Sequence, residues 1–306
     1  MPAATPDAAG RVEADGHTRK RDRPGRFAAF YDRAIDRLVD IPVRERWLDT
    51  PSGTTHLLTA GDPTAPPVVV FQGGNVTTPV TLSWVQGLAA DYYLIAPDTP
   101  GEPGALDSAP PADYGAWAVS VLDALDVDRA AVVGISHGAG VALELAAHVP
   151  DRITAAALVV PAGFGTHLSP ALARVVLPAL AYRVRPDGRL LAATLRPLCT
   201  ESVETVERLV VDTIATALRT ADLDAGFPGP DDPSALAELG APVLVLAAEH
   251  DPFFPAAWLH GRAAVALPGG AECVTLAGER HLLSRVGQRQ AAERIREFFA
   301  TPRSQA

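Results

Sequence analysis

Six short runs dominated by apolar residues recur along the chain: Pro67 to Phe71, Tyr92 to Ala96, Ala130 to Val133, Ala155 to Val160, Pro242 to Ala247 and Cys273 to Leu276. Runs this short, without polar alternation, predict strands buried on both faces. Between them, Ser83 to Ala90, Tyr114 to Leu125, Ala139 to His148 and Arg285 to Phe299 carry helical patterns. Strand and helix in alternation predict a mostly parallel sheet with helices on both faces. Upstream, Val43 to Leu48 and Thr54 to Ala60 flank Pro51-Ser52-Gly53, which predicts an antiparallel hairpin at one edge. Before the hairpin, Phe27, Phe30, Tyr31, Ala34, Ile35 and Leu38 fall three and four apart, the spacing of an amphipathic helix that Pro42 ends.

The alternation breaks between Gly163 and Gly240, where Leu168 to Val184, Leu190 to Leu198 and Val203 to Leu223 carry helical patterns with no convincing strand. A stretch this long is no simple connection, so residues 163–240 are expected to form an inserted helical cap on a core made of 27–162 and 241–306. The first cap helix is apolar on more than one face, as if one packed on the core and another roofed a pocket; ordinary core packing would give the same pattern. Residues 1–26 mix Pro, Gly and Asp with the basic cluster Arg19-Lys20-Arg21-Asp22-Arg23 and are expected to be a disordered tail.

Composition narrows the function classes. At 306 residues and 48% hydrophobic content the chain can bury a large core, and its formal net charge of -10 argues against a nucleic-acid partner. Two cysteines, Cys199 and Cys273, indicate neither a disulfide framework nor a zinc site. No run has the length needed to cross a bilayer and none near the start resembles a signal-peptide core, so a cytoplasmic protein with no membrane partner is expected. The oligomeric state is not legible.

The chemistry concentrates where the run Ala130 to Val133 stops at Gly134-Ile135-Ser136-His137-Gly138 and a helical pattern begins at once. A serine on such a strand-to-helix turn is held clear of the sheet above the first free amides of a helix, the arrangement of a nucleophile elbow. A serine hydroxyl needs a base, a carboxylate to orient that base, and donors for an oxyanion. Of eight histidines, His281 alone follows the final strand in a loop at the expected carboxyl end of the sheet. Asp251, beyond the strand Pro242 to Ala247, is the preferred acid, with Glu249 competing two residues earlier. The order serine, acid, histidine differs from that of the chymotrypsin and subtilisin folds. For the oxyanion hole the candidates are the amides of His137 and of Gly74, the latter in Gln72-Gly73-Gly74-Asn75, which as a bland alternative is a plain turn. Trp84 and Phe164 are candidate pocket residues.

Taken together, Gln72-Gly73-Gly74, Asp98-Thr99-Pro100-Gly101, Gly134 to Gly138, Glu249-His250-Asp251 and His281 make the chain from about Tyr31 to Phe299 resemble an α/β-hydrolase fold enzyme with a cap, similar to bacterial serine carboxylesterases. The resemblance implies an esterase-like serine mechanism on a small-molecule ester or acyl substrate, with no metal or organic cofactor, and a structural turn at Asp98 and Gly101. It leaves the substrate open, since lactones, thioesters and activated carbon–carbon bonds yield to the same groups, and a non-catalytic small-molecule binder of this fold is the alternative of another class. One position departs from the pattern: Gln72 stands where the family often has histidine.

Overall fold

A computed structural model of the protein describes residues 25–220, 227–230, 232–267 and 269–301. Helix α1 (Ala28–Leu38) leads into the hairpin β1 (Val43–Thr50) and β2 (Gly53–Ala60). The alternating part follows as β3 (Pro67–Phe71), α2 (Thr78–Val85), β4 (Tyr93–Pro97), α3 (Tyr114–Ala124), β5 (Ala130–Ile135), α4 (His137–His148) and β6 (Ile153–Val159). Three helices, α5 (Pro170–Val184), α6 (Gly188–Leu195) and α7 (Arg208–Thr220), precede β7 (Val243–Ala248), α8 (Ala256–Ala266), β8 (Ala271–Leu276) and α9 (Arg285–Ala300). The strands form one sheet in the order β1-β2-β4-β3-β5-β6-β7-β8. Pairing is antiparallel from β1 through β2 to β4 and parallel across the remaining six strands.

The reason the strand runs lack polar alternation lies in the two core layers. Val69, Phe71, Val132, Leu158 and Val245 point to one face, where they meet Trp117 and Leu122 of α3, Leu143 and Leu145 of α4 and Leu259 of α8. Their neighbours Val68, Val70, Val133, Val159, Leu244 and Leu246 point the other way, toward Tyr31 of α1, Leu82 of α2 and Ile295 and Phe298 of α9. A strand covered on both sides has no position that favours a polar residue, and burying each aliphatic side chain contributes about 1.5 to 3 kcal/mol. A third cluster joins Val175, Leu195, Leu198, Leu209 and Ile214 of the α5–α7 segment to Ala34, Val76 and Val80 of the body.

Three expectations are corrected in detail. The helix expected at Ser83 to Ala90 is α2 from Thr78 to Val85, continued by a 3-10 turn over Gln86–Ala90. Pro79 occupies the first turn, where a missing N–H leaves no intrahelical bond unmade. Helix α7 starts at Arg208 rather than Val203, because Thr205 folds back on the Ser202 carbonyl through both its amide (2.9 Å) and its hydroxyl (2.7 Å), and its expected end at Leu223 lies outside the described residues. The expected tail lies outside them through residue 24, but its last two positions are anchored: the Gly25 amide donates to the Ala105 carbonyl at 3.2 Å, and Arg26 pairs with Asp107 at 3.2 Å.

Candidate active site

Ser136 ends β5 and caps α4 with φ 51° and ψ -114°, a left-handed backbone that few non-glycine residues adopt. Close packing holds this turn. A Cβ on Gly134 would sit 2.4 Å from Ala139 Cα, and one on Gly138 would sit 2.2 Å from the Phe71 carbonyl oxygen, so neither flanking position accepts a side chain without backbone movement. The Ser136 amide donates to the Val159 carbonyl at 2.9 Å, and its own carbonyl accepts from Ala139 (2.9 Å) and Ala162 (3.1 Å). The strained turn is thereby pinned to β6 and to α4, which leaves the hydroxyl as the one group of Ser136 turned to the loops above the sheet.

Those loops bring it His281 and Asp251. Ser136 Oγ lies 2.8 Å from His281 Nε2, and His281 Nδ1 lies 2.7 Å from Asp251 Oδ2. Asp251 is 2% exposed, and its other oxygen accepts the amides of Phe253 (2.8 Å) and Phe254 (3.2 Å), so the carboxylate can present only Oδ2 to the ring. The Phe253 ring meets His281 edge-on at 4.9 Å and Phe254 lies 6.1 Å away, a dry wall that holds the imidazole upright. Glu249 is exposed and accepts the Gly278 amide at 2.8 Å; it buttresses the turn before His281 and does not touch the ring.

Gly74 and His137 lie side by side, since a Cβ on Gly74 would stand 3.3 Å from His137 Cβ. In the Gly74 loop the flanking amides are occupied: Gly73 donates to Thr81 Oγ1 (3.0 Å) and Asn75 to Glu102 Oε2 (2.6 Å). Among the described residues the Gly74 amide has no such partner, and His137, as the first residue of α4, also keeps its amide clear of the helix ladder. The His137 ring stands edge-on to Tyr114 at 5.4 Å with Nε2 3.5 Å from Glu102, and its Nδ1 is buried with no partner among the described residues. Burial pushes the His137 pKa down, against the pull of Glu102, so the ring beside the serine is neutral near pH 7.

Gln72 resolves the departure from the family pattern. Its side chain is fully buried, Nε2 donates to the carbonyls of Val76 (2.8 Å) and Pro103 (3.0 Å), and Oε1 accepts the Thr99 amide (2.9 Å) with the Thr78 hydroxyl 2.7 Å away. An uncharged amide thus ties the Gly74 loop to the turn after β4. The pocket candidates fare differently. Trp84 is half-buried and packs against the core layer of α2 and α9. Phe164 is 3% exposed inside the opposite layer, in the cluster that holds Phe254.

A family model for the alpha/beta hydrolase fold matches residues 66–284, which span all of these groups. The chain belongs to the α/β-hydrolase fold family. It is 24% identical to the carboxylesterase YbfK of Bacillus subtilis (strain 168) over 286 residues, covering 90% of this chain and 93% of that one. The naproxen esterase of Bacillus subtilis superposes with a TM-score of 0.74 at 21% identity, covering 90% of this chain and 97% of that one. The 2-hydroxy-6-oxo-6-phenylhexa-2,4-dienoate hydrolase of Rhodococcus sp. strain RHA1 superposes with a TM-score of 0.66 at 21% identity over 85% of this chain and all of that one.

Two devices of this α/β-hydrolase escaped the sequence reading. The first is a buried network behind the Gly74 loop. Asp98 accepts from Tyr31 (2.9 Å), from the Ala105 amide (2.8 Å) and from the Thr78 hydroxyl (2.5 Å), and His56 bridges Asp98 (3.0 Å) to Glu45 (3.2 Å). For His56, burial lowers the pKa, but Asp98 and Glu45 together outweigh it and the net displacement is upward. The stabilisation from its protonated form is therefore complete below the unfolded value of about 6.5 and is lost as pH rises through the higher folded value. The expected outcome is that His56→Gln costs about 3 kcal/mol near pH 6 in denaturant titrations, with the gap to wild type narrowing as pH increases. A gap that does not change with pH would mean that His56 is neutral in the fold.

The second device holds the histidine loop. Leu282 donates to the Leu198 carbonyl (2.8 Å), Thr200 donates back to the Leu282 carbonyl (3.1 Å), and Cys199 pairs with Leu282 as an isolated parallel bridge. The Thr200 hydroxyl donates to Glu279 (2.8 Å) and accepts the Arg280 amide (2.7 Å). Nothing in the local pattern of Leu198 to Thr200 announces this, since a two-residue bridge has no periodicity.

Proposed function

We propose that the protein is a serine hydrolase that cleaves carboxylic esters of small hydrophobic molecules through an acyl-enzyme, with residues 163–240 as its cap. The observation that carries the proposal is the unbroken chain of short contacts from Ser136 Oγ through His281 to Asp251, at 2.8 and 2.7 Å. His281 Nε2 takes the proton as Oγ attacks the ester carbonyl, and the buried Asp251 carboxylate holds the Nδ1–H tautomer and stabilises the imidazolium that forms. The amides of Gly74 and His137 receive the negative oxygen, with the amino end of α4 directed at it. The protonated His281 then gives its proton to the departing alcohol, and the same ring activates the water that releases the acid. Every proton moves between Oγ, Nε2, alcohol and water, so the cycle closes on the chain's own side chains.

The choice of an ester rests on the names of the relatives, with YbfK aligned across nine-tenths of the chain. A fluorophosphonate probe tests the mechanism: folded protein labels with one equivalent at Ser136, and labelling is lost in His281→Ala. Folded protein that takes no label would favour a binding module. A panel of p-nitrophenyl esters of increasing chain length then tests the substrate class, with the highest kcat/KM expected on an apolar acyl group.

A further inference from the structure

Helix α5 is apolar on two opposite faces. Its inner face is accounted for: Val175 and Tyr182 are buried, and Val175 shares a cluster with Val76, Val80 and Leu198, against which Phe253 also packs. Its outer face is bare. Val176, Leu177, Leu180 and Val184 are 38%, 65%, 40% and 88% exposed, and Leu168, just ahead of the helix, is 83% exposed. At about 100° per residue these four and Ala173 fall along one stripe, opposite Val175 and Tyr182. The exposed Arg174 and Arg185 border the stripe on one side and the exposed Arg183 on the other. Arg189 on α6 and Arg196 just after it are exposed as well. From Ser169 to Leu198 the chain has five arginines and one acid, Asp187, in a protein whose formal net charge is -10.

An exposed aliphatic stripe costs solubility and contributes nothing to the core, so it marks a contact surface. Its arginine borders specify the occupant. An isologous contact with a second copy would bring the arginine borders of the two molecules together, whereas an anionic surface pairs with them and accepts the aliphatic side chains below its headgroups. We propose that the outer face of α5 docks the protein on anionic lipid bilayers, the helix lying flat in the interface with its arginines at headgroup level. Among the described residues no helix is long and apolar enough to cross a membrane, so the attachment is peripheral. From the sequence no membrane partner is expected, and the second apolar face of this helix reads as a pocket roof or as ordinary core; in the structure that face points to solvent. The inner face packs in the cluster that Phe253 borders, and Phe253 touches His281, so a docked α5 would place the site next to the apolar phase. Supply of hydrophobic esters from the bilayer rests on the hydrolase proposal above; docking itself does not.

The test is co-sedimentation of the full chain with vesicles of phosphatidylglycerol or of phosphatidylcholine. The protein is expected to partition onto phosphatidylglycerol vesicles at least about tenfold more than onto phosphatidylcholine, with the preference shrinking as salt shortens the range of the charges. Leu177→Ser combined with Val184→Ser, both at exposed positions, is expected to lower the partition on the order of a hundredfold. Arg174→Gln with Arg185→Gln removes the lipid preference. Absence of partition onto phosphatidylglycerol vesicles overturns the proposal, as does partition unchanged in the serine double variant. Sedimentation equilibrium showing a dimer that the serine variant dissolves would assign the stripe to a second copy instead. None of these measurements uses turnover, and Ser136→Ala should bind vesicles as wild type does, so failure here is separable from failure of the hydrolase mechanism.

Discussion

Ser136→Ala is expected to lower turnover of a p-nitrophenyl ester by a factor on the order of 10⁵ to 10⁶ while KM changes little. The size follows from what the substitution removes. In the proposed mechanism no acyl-enzyme forms without Oγ, and the remaining rate would come from water acting against a carbonyl polarised by the Gly74 and His137 amides, worth roughly 10³ over solution. The fold should be unaffected: Ser136 is held by its amide and carbonyl, which alanine keeps, and the strain of a positive φ is comparable for the two residues. Steady-state kinetics with matched thermal midpoints check both halves. Turnover within tenfold of wild type would eliminate Ser136 as the nucleophile.

Asp251→Asn is the second large effect, a fall of about 10⁴ in kcat near neutral pH. Its basis is a forced orientation. The Phe253 and Phe254 amides donate to one oxygen of residue 251, so an asparagine must turn its carbonyl to them and its NH₂ to His281. The ring then meets a donor at Nδ1 and places its proton on Nε2, where it can no longer accept from Ser136. Glu249→Gln is the matched control and should stay within about twofold, because that side chain meets the Gly278 amide and the exposed His250 ring and does not touch His281. An activity loss in the control larger than in Asp251→Asn would reassign the acid.

The parts of the fold visible in the sequence are those where a single local rule operates. Doubly covered strands read as apolar runs, so β3 appears with its observed ends and β5 starts where expected. The Gly134 to Gly138 turn is visible because two glycines are needed where α4 crosses β3 and β5, and Ser136, Asp251 and His281 are visible because each follows the carboxyl end of a parallel strand. Features set by tertiary contact were not visible. The start of α2 at Thr78 was not visible, because a first-turn proline such as Pro79 and a helix-breaking one have the same letter. His56 gave no signal because its partners, Asp98 and Glu45, come from two other strands or their ends, and Gln72 stood only as a departure from the family pattern until its four hydrogen-bonding neighbours were known. The outer face of α5 was visible as apolar but not as outward, since periodicity gives the spacing of a stripe without its direction.

The short parallel bridge between Cys199 and Leu282 has a consequence for engineering and for evolution alike. Transplanting a relative's segment in place of α5–α7 would exchange the proposed cap but also strip His281 of its strut, leaving the proposed base on an unsupported tether. Successful chimaeras should therefore retain the Leu198 to Thr200 tripeptide, or import the donor's histidine loop along with its roof, so that the two are inherited as one part.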